Sequence, residues 1–233
     1  MEFNGIYTPV ITPHFDDFSI DEAGFARMIN HLIDEGVHGI IIAGTTGEYY
    51  AQSMEERQRL LALGTEIVGG RVPVIGGTGA MRTEDSITLA KAAKQAGVDA
   101  ILVATPPYSV PTGRENALHA LAVERAVDLP AMLYNYPGRM AAEMDEEFLD
   151  RVGQSSNFRA IKESSGDINR VHMLARRYPI FSYLAEWMIK PWNSLHGARD
   201  LGFVLPLTLR PLRILPYGTH ASIKATLPQG VGL

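Results

Sequence analysis

The stretch that decides the fold spans residues 158–166 and reads F-R-A-I-K-E-S-S-G. It begins as a short apolar run of strand length, which ends in Lys162, and a Glu-Ser-Ser-Gly turn follows at once. A lysine at the carboxyl end of a buried strand can lose its charge and act as a nucleophile. Taken alone, such a lysine is more often a solvated surface group. The rest of the chain decides between these two interpretations.

Apolar runs of strand length recur along the chain before this stretch. They lie at 6–12, 39–43, 72–76, 100–104 and 131–135. Helical patterns follow the runs, with S-x-x-E and T-x-x-E capping boxes at Ser53 and Thr112 and a terminating glycine at Gly97. The other helical patterns lie at 21–35, 84–96, 145–152 and 168–177. The chain therefore alternates strand and helix.

This alternation predicts an α/β fold of the (β/α)8 TIM-barrel type. Strands that are apolar throughout are covered on both faces, as in a parallel sheet flanked by helices. Hydroxyl-bearing residues also lie at or just beyond the ends of these runs: Thr45, Thr46, Tyr108 and Tyr134. A barrel carries its site on the rim where the strands end. About six strand-helix units are recognisable, so the predicted barrel is incomplete.

The last fifty residues differ abruptly in composition from the rest. Residues 184–233 contain two acidic and five basic residues, whereas residues 1–183 contain 24 acidic and 16 basic ones. Both tryptophans and five of the 14 prolines lie in this tail. We therefore predict a catalytic barrel domain at 1–183 and a divergent, irregular tail at 184–233, with one short apolar strand at 201–205.

Composition excludes several classes of function. The chain has 233 residues, 46% of them hydrophobic, which is ordinary for a globular protein with one sizeable core. A net charge of −5 gives no basic field for nucleic acid or for an anionic membrane. The chain has no cysteine, no leader-like amino end and no apolar run long enough for a membrane span. Cytoplasmic small-molecule chemistry is the expectation.

Five motifs, taken together, resemble the dihydrodipicolinate synthase and N-acetylneuraminate lyase family, and most closely the dihydrodipicolinate synthases. They are G-T-T-G-E at 44–48, G-R-V-P-V-I at 70–75, the Pro-Tyr segment at 105–108, Y-N-Y-P-G-R at 134–139 and I-K-E-S-S-G at 161–166. Any one of them alone is weak, but several in one order are specific. The resemblance covers residues 1 to about 183.

The resemblance implies a lysine Schiff-base enzyme that needs no cofactor and no metal. Lys162 would form the imine with pyruvate, and Tyr134 would move the proton. Thr45 would link Tyr134 to Tyr108, which in the family reaches across a subunit interface, so a homo-oligomer, a dimer or a tetramer, is implied. Thr46 and Gly44, with nearby backbone N–H groups, would hold the pyruvate carboxylate.

Arg139 bears on the choice of the second substrate. In the synthases that this chain resembles, an arginine at this place grips the carboxylate of aspartate semialdehyde. Tyr49 and Tyr50, however, depart from the smaller residues that often follow G-T-T-G-E in those enzymes. A 4-hydroxy-tetrahydrodipicolinate synthase is therefore the first expectation. A 2-keto-3-deoxy sugar acid aldolase or dehydratase of the same family is the alternative.

The tail lacks the continuation that the family implies, a seventh strand ending in G-D-D and a later G-A-x-G-x-I-S strand. Permissible codons for the residues from Trp187 onward, read from the third base of the tryptophan codon, give D-D-Q-A-L-E-F-P-A-W-G, close to that continuation. We therefore predict that the tail is an out-of-frame product. The flanks of strands one and six would then be unpaired, and the chain could be a non-catalytic remnant.

Other functional interpretations have weaker support. Residues 76–79 read G-G-T-G after a strand, but they lack the last glycine of a dinucleotide-binding loop. The histidines show no H-E-x-x-H pattern or other metal-ligand spacing. Neither a nucleotide cofactor nor a catalytic metal is expected.

Overall fold

Seven parallel strands and one short antiparallel strand form a closed ring in the computed structural model, which describes residues 1–186 and 204–206. The strands are β1 Tyr7–Pro9, β2 Gly39–Ile42, β3 Val74–Gly77, β4 Ala100–Ala104, β5 Ala131–Asn135, β6 Phe158–Glu163, β7 Ser182–Glu186 and β8 Val204–Pro206. Strands β1 to β7 pair in chain order, each parallel to the next. Strand β8 runs antiparallel between β7 and β1. The prediction of a partial (β/α)8 barrel is therefore confirmed.

Helices form the crossovers that parallel strands require. They are α1 Glu22–Asp34, α2 Met54–Val68, α3 Thr83–Ala96, α4 Gly113–Arg125, α5 Pro137–Met140, α6 Glu146–Val152 and α7 Ile168–Arg177. Both predicted capping boxes, at Ser53 and Thr112, are present with reciprocal hydrogen bonds. Gly97 ends α3 in the left-handed conformation at φ +84°. Within the described residues, no helix is long and apolar enough to cross a bilayer.

Strands β1 to β5 are buried along their whole length because each one separates two buried layers. In β2, Ile40 and Ile42 pack outward against the helices, whereas Ile41 packs into the barrel interior. All three are fully buried. Phe3 and Tyr7 fill the amino end of the interior, with ring centroids 6.2 Å apart. A large apolar side chain contributes about 1.5–3 kcal/mol when fully buried, so this alternation fixes which side chains face the barrel axis.

The structure differs from the sequence predictions at the last strands. Strand β7 was not predicted, and it pairs with β6 along residues 160–163, so the predicted unpaired flank of strand six is wrong. Strand β1 is likewise paired, with β8. Strand β8 shares residues 204 and 205 with the predicted strand at 201–205. The rest of the divergent tail, residues 187–203 and 207–233, lies outside the described residues, and its irregular, out-of-frame character stays a prediction.

Candidate active site

Lys162 and Tyr134 lie opposite each other at the carboxyl end of the barrel. They pair in register across β6 and β5, and each is only 3% exposed. The Lys162 Nζ atom lies 4.3 Å from the centroid of the Tyr134 ring. Tyr134 packs with the interior residues Met132 and Ala160, and Lys162 follows Ala160 by two positions on the same face of β6. The amine is therefore inside the barrel, facing an aromatic ring.

The G-T-T-G segment forms a tight turn directly after β2. Gly44 is extended at φ −80° and ψ 179°, and residues Thr45–Gly47 make one turn of 3-10 helix. The Thr45 hydroxyl oxygen is buried and, among the described residues, has no hydrogen-bond partner. A buried polar group without a partner costs about 1–3 kcal/mol. Such a group at a rim is a candidate contact for a ligand or for another subunit. Thr46 beside it is half-buried.

A cavity of about 330 Å³ opens beside this turn. Its lining residues come from three loops at the carboxyl ends of the strands: Thr45, Tyr49, Tyr50, Pro107, Arg139 and Met140. A larger cavity of about 560 Å³ lies at the opposite, amino end of the barrel, between residues 1–4 and 153–156. None of the predicted site residues lines the larger cavity. The smaller cavity is therefore the candidate for substrate binding.

Arg139 lies on the short helix α5, which the sequence did not predict. Pro137 begins this helix, and Ala141 ends it in the left-handed conformation at φ 53°. The Arg139 guanidinium carbon lies 5.5 Å from the centroid of the Tyr136 ring. A hydrogen bond with Tyr136, together with the nearby phenols of Tyr134 and Tyr50, raises the pKa of Arg139. The guanidinium is thus a fixed cation at the mouth of the cavity.

Tyr108 is the predicted site residue that the single chain does not bring to the others. It is 90% exposed and has a left-handed backbone at φ +70°. Left-handed conformations are costly for residues other than glycine, and they concentrate at functional sites. Within one chain, its phenol does not pack against Lys162 and Tyr134.

Sequence reasoning missed a buried polar network one position beyond the Lys162 and Tyr134 pair. Asn135 and Glu163 also pair in register, and the Asn135 amide donates to both Glu163 carboxylate oxygens, at 2.9 and 3.0 Å. The Arg170 Nε donates to Glu163 at 2.8 Å. The signal in the sequence is a carboxylate and an amide at the last position of two buried strands, where a polar group needs a partner.

The family model of the dihydrodipicolinate synthetase family matches residues 2–185. This chain belongs to that family. Its relatives include the 4-hydroxy-tetrahydrodipicolinate synthase of Rhodospirillum centenum, 42% identical over 72% of this chain and 57% of the relative. The synthase of Bacillus velezensis is 38% identical over 77% of this chain and 62% of the relative. The chain thus spans about three fifths of the length of the curated relatives that it matches.

Solved structures of the dihydrodipicolinate synthetase family have the same fold. The 4-hydroxy-tetrahydrodipicolinate synthase from Methylacidiphilum fumariolicum SolV matches with a TM-score of 0.77 and 34% identity, over 79% of this chain and 62% of that chain. YagE from E. coli K12, described in complex with pyruvate, matches with a TM-score of 0.75 and 31% identity, over 79% of this chain and 63% of its own. A synthase from Acinetobacter baumannii, also complexed with pyruvate, matches with a TM-score of 0.75 and 33% identity, over 78% of this chain and 63% of its own.

In this member of the dihydrodipicolinate synthetase family, two tyrosines form one wall of the cavity. The rings of Tyr49 and Tyr50 pack edge to face with centroids 5.9 Å apart. Arg57, buried on α2, lies behind them with its guanidinium carbon 4.8 Å from the centroid of the Tyr49 ring. Burial lowers the pKa of Arg57 to about 10, so it stays charged at neutral pH. This wall of the cavity is therefore aromatic and electropositive.

Proposed function

We propose that this chain forms an imine between Lys162 and the keto carbon of pyruvate, and that it joins the bound pyruvate to an aldehyde or releases it from the adduct. One observation carries the proposal. The Lys162 amine is buried inside a barrel rim and faces the Tyr134 ring at 4.3 Å. Burial favours the uncharged amine, which is the nucleophile. Two structures of family members contain pyruvate, which supports the choice of keto acid.

The proposed reaction needs a proton donor beside the amine. The Nζ lone pair attacks the keto carbon, so that a C–N bond forms and the carbonyl becomes a hydroxyl group. That hydroxyl then leaves as water after it gains a proton. The phenol of Tyr134 is on the same rung as Lys162 and can give and take that proton. Loss of a methyl proton from the imine gives the carbon nucleophile.

The remaining proposed roles belong to residues in the loops that follow β2 and β4. Thr46 and the backbone N–H groups after Gly44 bind the pyruvate carboxylate, because donors without a competing charge hold an anion near a neutral amine. The Thr45 hydroxyl, which has no hydrogen-bond partner in the part of the chain that the structure describes, extends the proton relay to Tyr108 of a second subunit. The 90% exposure of Tyr108 supports this arrangement, since an exposed phenol is free to enter a neighbouring site. The proposed unit is a dimer or a tetramer.

Aspartate semialdehyde is the proposed acceptor, which makes the chain a 4-hydroxy-tetrahydrodipicolinate synthase. A guanidinium fork binds a carboxylate through two parallel hydrogen bonds, and Arg139 lines the cavity where an aldehyde would enter. The relatives that carry this name support the assignment.

The tyrosine wall favours a second candidate. Tyr49 and Tyr50 line the same cavity as Arg139, and their rings and hydroxyl groups suit a substrate rich in C–H and O–H groups. A 2-keto-3-deoxy sugar acid has both, with a carboxylate as well. An aldolase or dehydratase acting on such an acid is therefore the alternative.

Reduction with borohydride in the presence of pyruvate tests the proposed imine. We expect the intact chain to gain the mass of one reduced pyruvate, located at Lys162 by peptide mass spectrometry. Lys162→Arg, which keeps a cation, should gain nothing, and Lys91→Arg on the exposed face of α3 should react as the wild type does. Folded wild-type protein without an adduct would indicate the non-catalytic remnant instead.

A panel of aldehydes and sugar acids distinguishes the two candidate functions. Arg139→Ala should leave the borohydride adduct at Lys162 unchanged, because the proposed role of Arg139 is to bind the aldehyde and not pyruvate. It should raise the half-saturating concentration of aspartate semialdehyde roughly tenfold to a hundredfold, since hydrogen bonds to charged groups contribute about 1.5–3 kcal/mol. Turnover of sugar acids with none of the semialdehyde would reverse the order of the two candidates.

A further inference from the structure

The register pair of Tyr134 and Lys162 is followed by a second pair, Asn135 and Glu163, whose polar side chains point to the opposite face of the sheet. Successive residues of a strand point to opposite sides, so Tyr134 and Lys162 face the interior whereas Asn135 and Glu163 face the helices. There the Asn135 side-chain Oδ1 accepts from the Met144 backbone N–H at 2.9 Å. The network therefore lies just outside the barrel wall, behind the candidate site.

Glu163 is fully engaged in this network. One carboxylate oxygen accepts from the Ser165 backbone N–H at 2.9 Å, and the other accepts from the Arg170 Nε at 2.8 Å. Asn135 donates to both oxygens. Exposure of these residues is 0% for Asn135, 4% for Glu163 and 7% for Arg170.

Stability alone gives no reason for a buried ion pair at this place. Desolvation of two charges offsets much of their attraction, and apolar residues of similar volume are often as stabilising. What a fully satisfied network does provide is a single geometry, because breaking any one contact leaves a buried charge or dipole unpaired. The network fixes two strand ends relative to each other.

Arg170 extends the network to the loop that carries Arg139. Its guanidinium donates to the Met144 carbonyl oxygen and pairs with Glu143 at 3.2 Å. Both residues lie in the connection between α5, which holds Arg139, and α6. One guanidinium thus contacts the strand end beside Lys162 and the segment that follows Arg139.

We infer that Asn135, Glu163 and Arg170 are positioning residues for the imine-forming pair, a strut that holds Lys162 and Tyr134 on one rung from outside the barrel. The inference rests on the proposed function. In this proposal the three residues do not contact the substrate. A displacement of about 1 Å at a reacting group can cost up to a hundredfold in rate, so a rigid support behind the lysine has a large effect on chemistry.

Glu163→Gln tests the strut, and Glu124→Gln is its matched control. Glu124 is also a buried carboxylate, 4% exposed, and accepts from the Asn157 amide at 2.6 Å, but at the amino end of the barrel. Imine formation is followed by borohydride trapping at increasing pyruvate concentration. For Glu163→Gln we expect a trapping rate at saturating pyruvate about tenfold lower, with the half-saturating concentration changed by less than about twofold. Glu124→Gln should keep the wild-type rate.

A swapped pair distinguishes positioning from loss of structure. In Glu163→Gln the new amide faces the Asn135 amide, whereas Asn135→Asp together with Glu163→Gln restores a donor facing an acceptor. The double variant should recover at least part of the rate. If Glu163→Gln does not fold, Arg170→Lys replaces it, because lysine keeps the charge but cannot make the contacts of the fork together. Wild-type trapping rates in the folded single variant, or in Arg170→Lys, would overturn the inference.

A second measurement needs no pyruvate. Reductive methylation with formaldehyde reports how accessible each lysine is, with exposed Lys91 as internal reference. In Glu163→Gln, methylation of Lys162 relative to Lys91 should rise about threefold, because the strand end that carries Lys162 is held less firmly. An unchanged ratio contradicts the strut whether or not pyruvate binds, whereas a wild-type chain that forms no pyruvate adduct contradicts only the proposed function.

Discussion

Tyr134 contributes two separable features to the proposed site, a ring face and a hydroxyl group. The ring packs in the barrel interior against the Lys162 amine, and the hydroxyl is the proposed proton carrier. Tyr134→Phe keeps the ring and removes the hydroxyl. We expect it to slow imine formation about a hundredfold, the usual effect of losing a general acid or base, with little loss of stability. Borohydride trapping at saturating pyruvate measures the rate.

Tyr7→Phe is the control for this substitution. Tyr7 is a second buried phenol of the barrel interior, 1% exposed, but it lies at the amino end. Removal of the Tyr7 hydroxyl should leave the rate of borohydride trapping unchanged. Equal rates for wild type and Tyr134→Phe would remove Tyr134 from the proton relay.

The sequence predicted which site residues would share one rim, but not all of their environments. Lys162, Tyr134, Thr45 and Arg139 lie where strand-end positions place them, because parallel strands end on one rim. Tyr108 is 90% exposed in the single chain, and its proposed role requires a second subunit. Asn135 and Glu163 were missed because a polar residue at a strand end looks solvated until the helix that covers it is known.

A hairpin between β1 and α1 holds a phenylalanine in an unfavourable conformation. Residues His14 and Ile20 form an antiparallel bridge, and Phe18 in the turn has φ +68° and is 84% exposed. Asparagine tolerates this conformation better than an aromatic residue. Phe18→Asn should therefore raise the free energy of unfolding by roughly 0.5–1 kcal/mol, measured by urea denaturation.

Phe15 in the same hairpin provides the comparison. It is also exposed, at 56%, and is not among the residues with positive φ. Phe15→Asn should give no gain in stability. A gain of the same size in both variants would point to lost surface hydrophobicity rather than to relief of backbone strain.

Burial of His119 where helices α3 and α4 meet should make stability depend on pH. His119 on α4 is 6% exposed, and its Nδ1 lies 3.0 Å from the Thr83 hydroxyl at the start of α3. Burial lowers the pKa of His119 to about 4. In the unfolded chain the imidazole titrates near 6.5, so between these values the unfolded state binds more protons. The free energy of unfolding should therefore fall by roughly 3 kcal/mol at most as pH drops from 6.5 to 4.

His119→Gln should flatten this dependence, whatever it does to absolute stability. Urea denaturation at several pH values between 4 and 7 measures the slope. His31→Gln, which removes an exposed imidazole from α1, is the control and should keep the wild-type slope. An identical slope in His119→Gln would show that other groups carry the dependence.

Apolar runs, helical periodicity and capping boxes predicted the elements whose limits depend on neighbouring residues in the sequence. The boundaries of β4, β5 and α7 match the predicted ranges, and α2 and α4 begin at their capping boxes. Helix α5 was missed because four residues give no helical period. Strand β7 was missed because its five residues carry polar ends, and only pairing with β6 and β8 makes them a strand.

The ring of strands is paired unevenly, and this should govern how the molecule opens. Strands β5 and β6 are joined through five residue pairs, which include Tyr134 with Lys162. Among the residues that the structure describes, strand β1 meets β8 through one pair, Tyr7 with Val204. Within the described part of the chain, β1 and β8 therefore share the fewest pairs in the ring, whereas the proposed imine-forming pair lies between the two strands that share the most.

Hydrogen exchange measures this difference directly. Amides exchange through the opening of lowest free energy that frees them, and two strands joined by few pairs separate at lower free energy than two strands joined by many. Peptides covering β1 should therefore exchange at least about tenfold faster than peptides covering β4 and β5. Because the opening separates β1 from β8 and leaves β5 and β6 joined, urea concentrations that release β1 should still permit the pyruvate adduct at Lys162. Uniform protection of β1 and β5 would mean that the ring opens only as a whole, and the adduct should then disappear together with the protection of every strand.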